Sequence, residues 1–185
     1  MKKILGAIGL TVLLPWTAAR TSEAAGVGTT GASFLKVGIG ARPLAMGGAF
    51  SALADDANAI NWNPGALGEV KRKNVTASYS SLFQDQRQGF VGYAHPLQED
   101  MGTLGAGLNY LTVSNIDRRA ADTEDPDSRF SNENFALSLS YGKPAVASGL
   151  SLGGSLKYVR TALDSFTGNA VALDFGALYK TAVEN

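Results

Sequence analysis

The stretch FALSLSYG at residues 135–142 decides the fold class, because large apolar and small residues alternate along it. Phe135, Leu137, Leu139 and Tyr141 stand at every second position, with Ala, Ser or Gly between them. Successive side chains of a β-strand point to opposite faces. The pattern therefore predicts a strand with one large apolar face and one face of small side chains.

The same two-residue period recurs on both sides of this stretch. It is clear at residues 103–110, 150–158 and 171–179, and weaker at 75–79 and 90–94. No segment with helical periodicity separates these runs. We therefore expect an all-β fold in which six strands follow one another in an antiparallel meander.

The connections between the predicted strands differ in length. Those near His95–Met101 and Lys143–Gly149 are short, whereas the charged stretch from about Ser114 to Asn132 reads as a long solvated loop. Short turns at one end and longer loops at the other are typical of outer-membrane β-barrels.

Composition excludes several other classes of protein. The 185 residues carry 16 Lys and Arg against 16 Asp and Glu, so there is no excess of basic charge to bind nucleic acid. Zero Cys excludes a disulfide framework, a thiolate metal site and a cysteine nucleophile. Only 17% of the residues are charged, below the roughly 25% of ordinary soluble domains.

The alternation alone leaves two architectures open. An exported antiparallel sandwich also alternates buried and exposed residues. The predicted strands often reach about ten residues, beyond the usual five or six, and their second face is Gly, Ser, Thr and Asn more than charge. Both features favour a membrane barrel with a wide lumen.

The first residues of the sequence have the features of an export signal. Met1, Lys2 and Lys3 precede an apolar run from Ile4 to Trp16, and small residues follow at Ser22 and Ala24. This arrangement is typical of a cleaved signal peptide over residues 1–24, and the run is too short for a membrane-spanning helix.

Two further regions follow. Residues 25–73 are glycine-rich and irregular, with one expected helix near Ala45–Asp55, and residues 74–185 hold the strands.

The segment Gly28–Leu67 carries a family resemblance through three sequence motifs, which occur in the order GARPLAMGGAF, ADDANA and WNPGAL. It resembles the opening of the PorV/PorQ family of outer-membrane proteins and, more distantly, is similar to the FadL long-chain fatty-acid transporters. This chain has Asn63-Pro64-Gly65-Ala66 where the family usually reads Asn-Pro-Ala-Gly.

The resemblance implies a FadL-like transmembrane barrel of about fourteen strands. It also implies that residues 25–73 form a plug, or hatch, at the periplasmic mouth. Glycines there would permit tight turns and close approaches. The residues expected to shape the plug are Gly40, Arg42, Gly47, Gly48, Asp55, Asp56, Asn63 and Pro64.

The Asp55-Asp56 pair leaves three roles open. It could cap a helix, bind a cation or pair with Arg42, and a solvated or salt-bridged pair is the plainest interpretation. Asn63-Pro64 predicts a turn, because proline disfavours helix at the preceding residue.

Length sets a further expectation. Six strands fall below the lower bound of about eight for a closed barrel. The sequence also ends at residues 181–185 without a terminal aromatic residue. We therefore expect a partial barrel, the N-terminal portion of a longer protein.

Catalytic motifs are not recognisable in the sequence. His95 is the single histidine and stands before a proline in an expected turn, so we expect no enzyme activity, no metal site and no cofactor.

Three functions remain. The first is a PorV-like role in protein secretion or cargo attachment at the bacterial outer membrane, with lipid, secretion-system subunits and cargo as partners. The second is FadL-like passage of a hydrophobic ligand. The third is a soluble periplasmic β-sheet protein that binds a partner or forms part of the envelope. No nucleic-acid partner is expected.

Overall fold

Six long strands form one antiparallel sheet in the computed structural model, which describes residues 31–98, 101–145 and 149–180. The sheet order follows the chain, β1-β2-β3-β4-β5-β6, so the predicted all-β meander is confirmed. The strands are β1 (Asn74–Ser81), β2 (Gln86–Pro96), β3 (Thr103–Arg118), β4 (Ser128–Pro144), β5 (Leu150–Leu163) and β6 (Phe166–Tyr179). Within the described residues β1 and β6 are the two edges, and the sheet is not closed. The predicted signal peptide lies outside the described residues.

The predicted long loop after β3 is wrong in extent. β3 continues to Arg118 and β4 begins at Ser128, so the connection covers only residues 119–127. The polar residues extend the sheet by pairing with each other, as the cross-strand ion pair of Asp117 with Arg129 shows. A bulge between Val113 and Ile116, where the register shifts, interrupts the two-residue period and hides the extension from a periodicity search.

The helices are short and lie before the sheet. They are a 3₁₀ helix at Ser33–Lys36, α1 (Ala41–Ala45), α2 (Ala59–Trp62) and a second 3₁₀ helix at Pro64–Glu69. The helix expected over Ala45–Asp55 is wrong, because α1 ends at Ala45 and left-handed glycines at 47 and 48 turn the chain. None of the helices in the described part of the chain has the length and the hydropathy of a membrane-spanning helix.

Residues 32–73, hereafter the N-terminal segment, pack on one face of the sheet. We call this the covered face and the opposite one the exposed face. The main core combines Phe50, Ile60 and Leu67 of the segment with Phe90 of β2 and Leu178 of β6. A smaller cluster joins Phe34 to residues of β3, β4 and β5. The hydrophobic core of the described residues therefore lies between the segment and the sheet.

Candidate functional site

A row of three glycines on the covered face receives the Pro64–Glu69 helix. Gly142 of β4, Gly153 of β5 and Gly176 of β6 are neighbours in the strand register. A Cβ atom added to any of them would lie less than 3.0 Å from an atom of residues 63–68. Because these side chains are missing, the helix lies directly on the backbone of three strands.

Asn63 fixes the start of this helix. Its Oδ1 accepts a hydrogen bond from the Gly65 amide at 3.0 Å, as an N-cap residue does. Its Nδ2 donates to the carbonyls of Ser51 at 2.9 Å and of Ala177 in β6 at 3.1 Å. Pro64 occupies the first turn, where its missing N–H leaves no bond unmade. One buried amide thus joins the helix, the preceding loop and the sheet.

Glu69 ties the other end of the helix to the sheet. Lys180 donates to Glu69 Oε2 at 2.6 Å, and Ser151 of β5 donates to Oε1 at 2.5 Å. The hydrogen bond from Lys180, and to a lesser extent the one from Ser151, holds the pKa of the Glu69 carboxyl below its ordinary value. The carboxylate is therefore ionised at neutral pH and joins the segment to β5 and to the residue after β6.

Glycines in β2 and β3 make room for the core of the segment. A Cβ at Gly105 or Gly107 would meet Ile60 at 2.7 or 3.0 Å, and one at Gly92 would lie 3.2 Å from the Ala57 carbonyl oxygen. The covered face therefore accepts bulky side chains from the segment by leaving out its own.

The predicted glycines of the segment lie at turns. Gly40, Gly47 and Gly48 have φ of 84°, 63° and 80°. Other L-residues rarely adopt this left-handed conformation. At Gly40 a Cβ would also lie 2.8 Å from Asn58 Oδ1, whereas at Gly47 nothing lies within 4 Å. Gly47 therefore serves backbone conformation alone.

Arg42 lies beside both predicted aspartates. Its guanidinium forms an ion pair with Asp55, stands 3.8 Å from an Asp56 oxygen, and lies 5.1 Å from the centre of the Phe50 ring. Asp56 Oδ1 also accepts a hydrogen bond from the Asn58 amide at 2.8 Å, which supports the turn before α2. Across the ranges the structure describes, no group of three or more acidic or histidine side chains could hold a metal ion. The arrangement is a salt-bridged pair that orders a turn.

A cavity of about 590 Å³ lies between the N-terminal segment and the β5–β6 pair. Trp62 and Asn63 line it from the segment, and Lys157, Asp174 and Gly176 line it from the strands. Lys157 is only 7% exposed, and its ammonium pairs with the Asp174 carboxylate at 2.5 Å. The charge of this buried lysine is thereby balanced.

The exposed face is apolar on all six strands. Large side chains stand uncovered there, and Phe175 is 86% exposed. Apolar patches of this breadth mark contact with a membrane or another protein. The exposed residues of this face include Val75, Tyr79, Val91, Tyr93, Leu104, Leu108, Leu137, Leu139, Tyr141, Leu152, Leu156, Tyr158, Val171, Leu173, Phe175 and Tyr179.

Five aromatic side chains of the exposed face form two rows across the strands, while Tyr93 and Tyr158 lie between the rows. Tyr110 of β3 and Phe135 of β4 are register partners, and Tyr79 of β1 lies in the same row, opposite Gly89. Tyr141 of β4 and Phe175 of β6 share a second row, through a glycine of β5. On β4 the rows are six residues apart, or about 20 Å along the strand. Two separated aromatic rows are typical of the two interfaces of a membrane barrel.

The sequence did not predict several residues of the site. Gly142, Gly153 and Gly176 were indistinguishable from other small residues of the alternating strands. Glu69 and Lys180 are far apart in the chain, so only the fold brings them together. One feature of the sequence could have revealed the glycine row. Each of three consecutive strands has a glycine near the same end, close to the turn between β4 and β5.

Comparison with known proteins agrees with the resemblance. A family model described as "Type IX secretion system protein PorV" matches residues 20–181. Searches of curated proteins and of solved structures give no significant match. The more distant similarity to FadL transporters stays a prediction. Since the match covers most of the sequence, the chain belongs to the PorV family of type IX secretion system proteins.

Proposed function

We propose that the protein is a non-catalytic outer-membrane β-barrel component that serves protein secretion by holding or passing on exported cargo. Family membership supports the secretion role at the outer membrane. The observation that carries the proposal is the contrast between the two faces of one sheet. One face is packed against the N-terminal segment, and the other presents apolar side chains from every strand.

The dimensions of the exposed face support contact with lipid. On β4 the charged residues of this face that lie nearest the strand centre are Glu133 and Lys143, with only Phe135, Leu137, Leu139 and Tyr141 between them. Ten residue steps span about 34 Å, which at the usual strand tilt of 35–45° corresponds to a height of about 26 Å. The apolar band of outer-membrane barrels is about 25 Å tall. The uncharged stretch thus fits one bilayer core.

The N-terminal segment would act as the plug of this barrel. Its attachment by Asn63, by the glycine row and by Glu69 supports a fixed element on the lumen side. The signal peptide at residues 1–24, which would direct export, is part of the same proposal.

Fractionation of cells tests the membrane assignment. We expect the chain in outer membranes, extractable only by detergent, with a gel mobility that changes on heating. Release by osmotic shock, as for a soluble periplasmic protein, would contradict the proposal.

Co-purification tests the role in secretion. Tagged protein extracted in mild detergent is expected to carry secretion-system subunits or cargo. A variant with Arg42→Ala and Asp55→Ala, changed on the exposed surface of the segment, serves to ask whether this surface binds them. Recovery of the barrel alone under cross-linking would contradict the secretion role.

Passage of a hydrophobic ligand is the second candidate. The cavity beside Trp62 favours it, since Leu35 and Ala172 also line the space. Saturable binding of a labelled fatty acid, lost on filling the cavity with Ala172→Trp, would support this function over cargo handling.

A further inference from the structure

A groove opens on the exposed face between β4, β5 and β6. Tyr141, Gly154 and Phe175 are successive partners in the strand register, so Gly154 forms a floor between two aromatic side chains. These two lie two strand spacings, or about 9–10 Å, apart. The groove has a volume of about 520 Å³, and Leu152 and Pro144 also line it. Its size falls within the range of about 300–1,000 Å³ for small-molecule sites.

Nothing in the backbone packing requires the glycine at the floor. A Cβ at Gly154 would lie 3.4 Å from the Asp174 carbonyl and 3.7 Å from the Phe175 ring, which are ordinary contacts. The preceding residue, Gly153, differs, because a Cβ there would collide with the backbone of Pro64. Gly153 is therefore explained by the N-terminal segment, whereas the effect of Gly154 is to keep the groove open.

One wall of the groove is held in place. The Tyr141 hydroxyl donates a hydrogen bond to the carbonyl of Met101 at 2.5 Å. A wall fixed before binding reduces the entropy that a ligand must give up.

A cation stands at the rim of the groove. Lys143 lines it at the end of β4, and in the described part of the chain it is not among the lysines that form ion pairs. A lysine stem can lie along apolar surface while its ammonium group reaches the level of lipid headgroups. The rest of the groove is continuous with the apolar exposed face.

We propose that this groove binds an acyl chain of an anionic phospholipid, whose phosphate contacts Lys143. The inference rests on the proposed position of the exposed face in the membrane. Lipid is the neighbour of that whole face, and the groove adds a recess with a matching charge at its headgroup end.

Native mass spectrometry of the full chain, purified in detergent from outer membranes, tests the inference. Phosphatidylglycerol and phosphatidylethanolamine of the same acyl composition are titrated separately. We expect one molecule of phosphatidylglycerol to bind to each chain, and its affinity to be higher than that of phosphatidylethanolamine.

Two variants locate the site. Gly154→Leu fills the groove and is expected to weaken binding at least tenfold. Ala106→Leu places the same side chain on the exposed face of β3, away from the groove, and is expected to leave binding unchanged. Lys143→Gln is expected to weaken phosphatidylglycerol about fivefold, the contribution of one lysine near an anionic lipid surface. Arg160→Gln, at the far end of β5, is the matched charge control. If Leu prevents assembly at 154, Gly154→Val fills part of the groove and should give a smaller loss.

The inference is overturned if the two lipids bind equally, if filling the groove leaves phosphatidylglycerol bound, or if a second copy of the chain occupies the face instead. Each variant is also fractionated and tested for heat-modifiable mobility. If the variants remain in the outer membrane and their lipid binding is unaltered, the lipid site in the groove is refuted and the proposed function stands. A wild-type chain absent from membranes refutes the proposed function and the groove together.

Discussion

The covered and exposed faces of the sheet use the same strands in opposite ways. On the covered face Gly142, Gly153 and Gly176 remove side chains so that the N-terminal segment reaches the strand backbone. On the exposed face most side chains are large, and they stay uncovered. β5 shows the contrast within two residues, since Gly153 is crowded and Gly154 is open. The same residue type thus has a different role on each face.

A charge in the middle of the exposed face is expected to give the largest effect. Leu156 and Leu150 of β5 both belong to the exposed face, but Leu156 lies mid-strand and Leu150 begins the strand, opposite Tyr179. In a bilayer Leu156→Arg should destabilise the protein by about 2–4 kcal/mol and Leu150→Arg by about 0–1 kcal/mol, because the cost of a charge depends on depth. Unfolding in urea from lipid vesicles measures both. Equal effects of the two substitutions would argue against a lipid-facing surface.

Substitution of the adjacent glycines compares the faces directly. Gly153→Val forces a side chain into the backbone of the Pro64–Glu69 helix and should cost about 1–3 kcal/mol, as overpacking does. Gly154→Val, on the other side of the same strand, should change stability by less than about 0.5 kcal/mol. The urea midpoint of the heat-modifiable form reports the difference. A reversed order would show that the faces are wrongly assigned.

Loss of the Asn63 side chain should separate the segment from the sheet. Asn63→Ala removes a helix cap and leaves the Ser51 and Ala177 carbonyls without this donor, so we expect a cost of about 1–2 kcal/mol. Faster proteolysis within the N-terminal segment is the measurement. Asn61→Ala is the control, because the described structure shows no hydrogen bond of the Asn61 side chain. This variant should be cleaved by the protease at the wild-type rate.

The Glu69 contact should produce the smallest effect and a dependence on pH. The folded pKa of this carboxyl lies below its unfolded value, so the stabilisation is complete above the unfolded pKa and disappears as pH falls through the folded one. Glu69→Gln should cost less than about 1 kcal/mol at pH 7 and nothing at a pH below the folded pKa. Urea midpoints across an acid titration test this, with Glu124→Gln as control. A Glu69→Gln penalty that grows in acid would refute the assignment.

The alternation of large apolar and small side chains predicted the sheet, because the central part of each strand follows this two-residue period in the sequence itself. It misjudged the length of β3 and β4, since the bulge after Val113 shifts the register and the pairing beyond it depends on charges. The glycine-rich motifs identified the segment, but the helix predicted over Ala45–Asp55 missed the left-handed turns at Gly47 and Gly48. The contacts of Asn63 with Ala177 and of Glu69 with Lys180 join residues more than 100 positions apart, and no local pattern encodes such pairs.

Spin labels on adjacent residues of β5 test the central claim most directly. The sequence contains no cysteine, so Ser155→Cys and Leu156→Cys each give one labelling site. In outer membranes the account predicts that a label at 156 is relaxed by lipid-soluble oxygen more than by a water-soluble nickel complex. A label at 155, on the covered face, should not show this preference. Equal or greater relaxation of label 156 by the nickel complex would contradict the lipid-facing assignment of the exposed face.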